Sequence, residues 1–270
     1  MNRDQTKSVI EDSLSLFELN DNLLGIVRKH FNTFTAPSKT RKTDILLALI
    51  AKAIRSHSAT VILCKSGYGM EADSIVRSMF EDLVNLTYIL SETKRDTRAR
   101  RYIEHIQVQQ FFMLDYTKNK RRLKKEFPKN VYQARLKAKN QFYKRYKRAD
   151  KYKWSGYNFK ELCKKTGCSW EYEVFYNLAS QHAHSQPIVL NQLVSARIDD
   201  VTTFSAGPQT KGQENNLIGA FDMLRRIMEV STKYFGKTEL LTELSTLKDK
   251  LNKSVAEINQ EKPPINLEKQ

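Results

Sequence analysis

Chain breakers are scarce here: 9 glycines and 6 prolines are spread over 270 residues. So few turn-formers exclude an architecture of many short strands and favour long helices. Cysteine is scarcer still. Cys64, Cys163 and Cys168 form no CxxC pair and have no zinc-ligand spacing, so buried free thiols are the expectation. No run of about 18 or more apolar residues occurs, and no membrane span is expected. The opening MNRDQTKSVIEDSLSLFELN is polar and acidic where a secretory leader is apolar, which points to the cytoplasm. No Gly-rich phosphate loop or nucleophile elbow appears. Neither a nucleotide cofactor nor a metal is expected.

Negative charge is in short supply, with 30 Asp and Glu against 46 Lys and Arg, a net charge of +16. The imbalance is local. KNKRRLKKEFPKNVYQARLKAKNQFYKRYKRADKYK, residues 118–153, holds 16 basic residues against Glu126 and Asp150, a net of +14. Only +2 is left for the rest of the chain.

Apolar residues recur at helical spacing through most of the sequence. The expected helices cover about 5–34, 44–65, 67–89, a stretch from near Lys94, 131–149, 170–184, 214–235 and 238–259, with a short one before Gly167. Turn chemistry and β-branched residues coincide in ARIDDVTTFSAGPQTKG, where a small hairpin or irregular loop is expected near residues 197–211. The expected fold is all-α. A single helical bundle domain occupies 1–236 with the basic insert of about 118–153 protruding, and 237–270 form a C-terminal helix and frayed tail.

Three places draw attention as sites. In GYGMEADSIVRSMFEDLVNLTYI, Arg77 and Glu81 lie one helical turn apart at the edge of an apolar stripe. An exposed pair in this Arg-before-Glu order contributes only a few tenths of a kcal/mol. A partly buried one can hold a phosphate through paired hydrogen bonds, with the carboxylate orienting the guanidinium or acting as a base. In YNLASQHAHSQP, Tyr176, Ser180 and His184 share a helix face, whereas His182 and His184, two apart, do not. Such a row suits proton transfer near neutral pH, and a helix-end histidine before Pro187 is the plainer alternative. The third is the basic segment. Lys144, Arg145, Lys147 and Arg148, with Arg121, Arg122, Lys124 and Lys125, would neutralise phosphates. Phe127, Tyr132, Phe142, Tyr143, Tyr146, Tyr152 and Trp154 would stack on unpaired bases. A solvated cationic hairpin is the alternative, but +14 without a partner repels itself.

The succession AIRSHSATVILCKSGYGMEADSIVRSMFEDLVNLTYI, RARRY, WS and YNLASQHAHS resembles a bacterial family of helical proteins of unknown function, family 5677 of that class. The resemblance spans about Ile45 to Ser185. It implies that Gly67, Tyr68, Glu71, Ala72, Arg77, Ser78, Glu81, Asn85, Tyr88, Tyr102, Trp154, Ser155, Tyr176, Ser180 and His184 occupy the family's recurring positions. HAHSQ departs from the family pattern, which has a Gly near the histidine. A weaker likeness is to the HEPN helical ribonucleases, which cleave RNA without metal using an Arg and a His with four to six residues between them. Arg98 or Arg100 with His105 fits that spacing, a match expected by chance in so basic a chain.

These features together lead to an RNA-directed effector, in its catalytic form a metal-independent endoribonuclease of a bacterial defence or toxin system. Arg77 would stabilise charge on the scissile phosphate, Glu81 would orient Arg77, and His184 would move a proton, with His105 in reserve. The alternatives are a non-enzymatic nucleic-acid-binding module and a helical partner protein. In the latter, Leu217, Ile218, Phe221, Leu224 and Ile227 would form a homodimer seam, although packing within the chain explains them equally well.

Overall fold

The structure, a computed structural model, describes residues 13–34, 40–119, 129–183, 187, 194–198, 201–204 and 206–261. Helix follows helix: α1 (Leu14–Phe31), α2 (Arg41–Lys65), a 3₁₀ turn (Met70–Ala72), α3 (Asp73–Leu90), α4 (Thr97–Asn119), α5 (Lys129–Arg145) and α6 (Phe159–Thr166). A composite helix, α7, covers 169–183, in which a π-helical turn (Tyr172–Tyr176) precedes the α-helical Asn177–Ala183. Strands β1 (Val194–Ile198) and β2 (Val201–Phe204) precede the long α8 (Gln213–Phe235) and α9 (Thr238–Glu261). The all-α expectation is the fold observed.

The hairpin sits slightly earlier than the expected 197–211. Its antiparallel strands pair Val194 with Phe204 and Ile198 with Val201, with a bulge between Val194 and Ala196. Residues 206–212 do other work. Gln209 N–H donates to Gly67 O at 2.8 Å, and Asn216 Nδ2 donates to Gly69 O at 2.8 Å. Backbones approach so closely here that a Cβ on Gly67 would lie 2.5 Å from Pro208 Cβ, and one on Gly69 2.6 Å from Gln213 N. Gly67 also has φ +79°, a conformation that side chains with a Cβ resist.

The chain divides into two compact units. Unit 1 comprises residues 1–38, 46–83 and 173–270, and unit 2 comprises 39–45 and 84–172. In unit 1, α1, α8 and α9 pack on one another. Leu16, Leu23 and Val27 of α1, Leu217, Phe221, Leu224 and Ile227 of α8, and Leu240 and Leu244 of α9 are wholly buried, at the three-and-four spacing of one helix face. The residues of the expected homodimer seam, Ile218 aside, are therefore spent inside the chain. Ile50 and Ala53 of α2 and Val76, Met79 and Phe80 of α3 complete this aliphatic core.

By length and composition, α2 is the one helix among the described residues apolar enough to cross a membrane, although no such helix was expected. Its buried His57 and Thr60 have partners within unit 1. Fully buried His57 donates from Nε2 to Asn20 Oδ1 at 2.8 Å, and Asn20 Nδ2 donates to Leu16 O and Leu217 O. Burial pushes the His57 pKa down to about 4, against an opposing pull from Asp21. The three cysteines are buried and form no disulfide, as expected, and burial raises the Cys64 thiol to about 12.

Unit 2 is built differently. Helices α4 and α5 form a hairpin around Val108, Phe142, Tyr146 and Ala149, with Phe112 and Tyr143 packed against them. α6 opens on a reciprocal cap: Glu161 N–H donates to Asn158 Oδ1 (2.9 Å), and Asn158 N–H donates to Glu161 Oε2 (2.8 Å).

Candidate functional site

Within unit 1, α3 presents Arg77 and Glu81 to Tyr176, the last residue of the π-helical turn in α7. Arg77 Nη2 donates to Tyr176 Oη at 2.8 Å, and that hydroxyl donates to Glu81 Oε1 at 2.9 Å. Arg77 and Glu81 also approach each other directly, at 3.3 Å. The guanidinium lies 4.7 Å from the centroid of the Tyr176 ring. Phe80, one residue before Glu81, meets Phe175 and Tyr176 at ring centroids 6.3 and 5.9 Å away.

The phenol thus ties the two ends of an otherwise ordinary one-turn ion pair. Arg77 is 22 % exposed and Glu81 38 %, so the pair is half in solvent. Arg77 Nε is buried with no hydrogen-bond partner among the described residues. Burial raises the Tyr176 hydroxyl pKa, which Glu81 reinforces and Arg77 only partly offsets, so the group stays a neutral donor at physiological pH. The arrangement can hold an oxyanion beside a guanidinium, and its one base is the Glu81 carboxylate.

Ser180 is half-buried and lies one turn beyond Tyr176 on α7. His184 lies outside the described residues, so of the expected catalytic set Arg77, Glu81 and Tyr176 are the three seen to converge. The sequence reading missed a neighbouring pair. Asp82, 5 % exposed, takes Lys52 Nζ at 2.8 and 2.9 Å, and Lys52 also reaches Ser78 Oγ at 3.1 Å. Burial raises the Asp82 carboxyl and Lys52 pulls it back in part. The available signal was an acid placed between Phe80 and Leu83, inside the apolar stripe.

His105 lies in the interior of unit 2. It is 4 % exposed, and its Nε2 lies 2.9 Å from Asp150 O, which makes that nitrogen the donor. Burial lowers its pKa despite that bond. Its spacing partners are occupied as well. Arg98 donates to Tyr88 O and Ser91 Oγ and stacks on the Tyr88 ring at 4.1 Å, while Arg100 donates to Glu104. Asn85, Tyr88, Tyr102, Trp154 and Ser155, also among the recurring positions, form an aromatic joint. Trp154 Nε1 donates to Asn85 Oδ1 at 2.9 Å, its ring meets Tyr88 and Tyr102 edge-on, and Arg101 Nη1 donates to Ser155 O at 2.6 Å.

The basic segment divides into two groups. Lys144, Arg145, Lys147 and Arg148 are exposed at and beyond the end of α5, while Arg121, Arg122, Lys124 and Lys125 lie outside the described residues, as does Phe127. Arg145 donates to both oxygens of Glu104, at 2.8 and 2.9 Å. Burial would raise the Glu104 carboxyl, but Arg100 and Arg145 outweigh it and hold it low. The expected stacking aromatics are mostly committed elsewhere. Phe142 and Tyr146 are core, Tyr132 donates to Asp115, and Trp154 belongs to the joint, whereas Tyr152 is 81 % exposed. Rings at helical spacing beside lysines serve the hairpin's own core here, because a thin helical hairpin has little else to bury.

Among the described residues no group of three His, Cys, Asp or Glu side chains is placed to hold a metal ion. No curated protein and no solved structure matches the chain, so the likeness to HEPN ribonucleases finds no support. A family model does match, over residues 43–201, and this range carries the Arg77–Glu81–Tyr176 cluster, the Trp154 joint and the basic hairpin. With more than half of its length inside that match, the chain belongs to the family of unknown function DUF5677.

Proposed function

We propose that this protein is an RNA-directed effector that grips nucleic acid on the basic face of the α4–α5 hairpin. The observation that carries the reading is a row of exposed cations with no carboxylate partner among the described residues: Lys137, Lys144, Lys147 and Arg148. Neighbouring Arg145 is paired, whereas these four are charges whose counterions a phosphate backbone would release. RNA is favoured over duplex DNA because Tyr152 offers an exposed face for an unpaired base.

The test is a salt titration of single-stranded RNA binding with the charge-reversed variant Lys144→Glu/Lys147→Glu/Arg148→Glu. Each phosphate contact adds about 0.7 to the salt slope on single strands, so losing three flattens it by about 2. Unchanged affinity and slope in the folded variant refute the reading.

A second, catalytic reading rests on the convergence of Arg77, Tyr176 and Glu81. Here Arg77 stabilises the phosphate that is cut, Glu81 serves as base or orients Arg77, and His184 supplies a proton, as in a metal-independent endoribonuclease of a toxin or defence system. RNA cleavage in the presence of a chelator, abolished by Arg77→Ala, would support it. Cleavage that survives Arg77→Ala excludes this cluster from the chemistry.

A further inference from the structure

Unit 2 contains a cleft of about 500 Å³ into which four guanidinium-bearing residues are gathered: Arg41, Arg100, Arg101 and Arg145, with Asp96 the single acid in its wall. The N-terminal end of α4 also borders the cleft through Thr97, and a helix start favours negative charge. Two of the arginines share Glu104, and Arg41 stands 4.0 Å from Asp96. The acids hold the forks in place without balancing them. Arg101 is fixed most firmly, by its 2.6 Å bond to Ser155 O and by stacking on Tyr146 at 4.9 Å. Its Nε is buried with no partner among the described residues, a donor the fold leaves unsatisfied.

Next to this cleft lies a second hollow of about 330 Å³, which shares Arg101, Arg145 and Tyr146 with it. Tyr88 and Tyr157 line the second hollow with Lys147 and Arg148. Both volumes lie in the range of roughly 300–1,000 Å³ typical of small-molecule sites. One compartment is rich in planar cationic forks that match phosphate oxygens in pairs, and the adjoining one is walled by tyrosines.

We infer that the two compartments form a receptor for one nucleotide carrying a phosphate monoester, with the phosphate among Arg41, Arg100, Arg101 and Arg145 and the nucleoside against Tyr88 and Tyr157. The monoester is carried either by the end of an RNA strand or by a free mononucleotide. The first source rests on the RNA reading above and deepens it to recognition of a phosphorylated end, and the second does not depend on that reading.

Equilibrium binding with the full chain tests this, using AMP, adenosine, inorganic phosphate, and one RNA oligonucleotide bearing either a 5′-phosphate or a 5′-hydroxyl. A charged hydrogen bond is worth about 1.5–3 kcal/mol, so the phosphorylated end is expected to bind about tenfold or more tightly than the hydroxyl end, or AMP over adenosine by the same factor. Arg41→Ala, at a side chain 57 % exposed and so safe for folding, should erase most of that ratio while leaving affinity for the hydroxyl-ended RNA unchanged. Arg41→Lys should restore only part of it, since an ammonium lacks the fork.

Binding of AMP without any RNA affinity would sustain the receptor and sink the RNA reading. RNA binding that ignores the phosphate, together with no AMP binding, would do the reverse. Equal affinity for AMP and inorganic phosphate would overturn the nucleoside half of the proposal.

Discussion

The two units of this chain solve the problem of burial with different materials. In unit 1 the helices meet through leucine, isoleucine, valine and phenylalanine at zero exposure, and His57 and Asn20, drawn in among them, are bonded to each other. In unit 2 the rings of Tyr88, Phe111, Phe142 and Tyr146 are buried beside aliphatic residues, and cations lie over several of its rings. Arg98 covers Tyr88 at 4.1 Å, Arg101 covers Tyr146 at 4.9 Å, Lys139 covers Phe111 at 4.1 Å, and Lys165 covers Tyr157 at 4.4 Å. The difference teaches that a large local charge is not wholly available to a partner. Part of the +14 of residues 118–153 lies over the unit's own rings, with Lys139 over Phe111, Arg145 over Tyr146 and Lys151 over Phe112.

The contrast can be broken most forcefully from the aliphatic side. Phe221→Ala, at a fully buried site of α8, should cost about 3–5 kcal/mol and unfold unit 1 cooperatively, whereas Phe142→Ala should raise hydrogen exchange mainly along α4 and α5. Exchange data in which both substitutions loosen the same amides would erase the distinction.

Next in size is a pH effect confined to unit 1. His57 is depressed from 6.5 to about 4, so its contribution is complete above pH 6.5 and lost as pH falls through that window. At about 1.4 kcal/mol per unit, the loss by about pH 4.5 approaches 3 kcal/mol. Denaturant melts at pH 7 and pH 4.5 should therefore differ strongly in the native chain and much less in His57→Gln, and equal pH slopes in both would count against a neutral buried imidazole.

Smallest is Tyr176→Phe, which removes the hydroxyl shared by Arg77 and Glu81 but leaves the ring. A stability change of about 0.5–1.5 kcal/mol is expected, and a larger one would mean the phenol organises more of unit 1 than its two bonds indicate.

Periodicity made the helices legible. α8 and α9 begin within a residue of expectation, and Gly167 ends α6 in the left-handed conformation its position implied. Arg77 with Glu81 could be read because stripe-edge charges at one-turn spacing are a local pattern. Tyr176 could be read as part of a helix row with Ser180 and His184, but its insertion between Arg77 and Glu81 depends on a π-helical turn, and a single extra residue per turn leaves no periodic trace. The Lys52–Asp82 pair escaped notice because its partners are 30 positions apart in the sequence. The Arg-lined cleft escaped for a related reason. Arg41, Arg101 and Arg145 come from three helices, and only folding reveals that they share a wall.

The cations stacked on tyrosines in unit 2 have a practical consequence. Contacts between a desolvated guanidinium and a ring weaken less with ionic strength than contacts between solvated charges and phosphate. Concentrated salt should therefore strip a bound polyanion from this protein and leave the hairpin beneath it folded, so elution from an anionic resin would yield material fit for the binding measurements rather than a collapsed remnant.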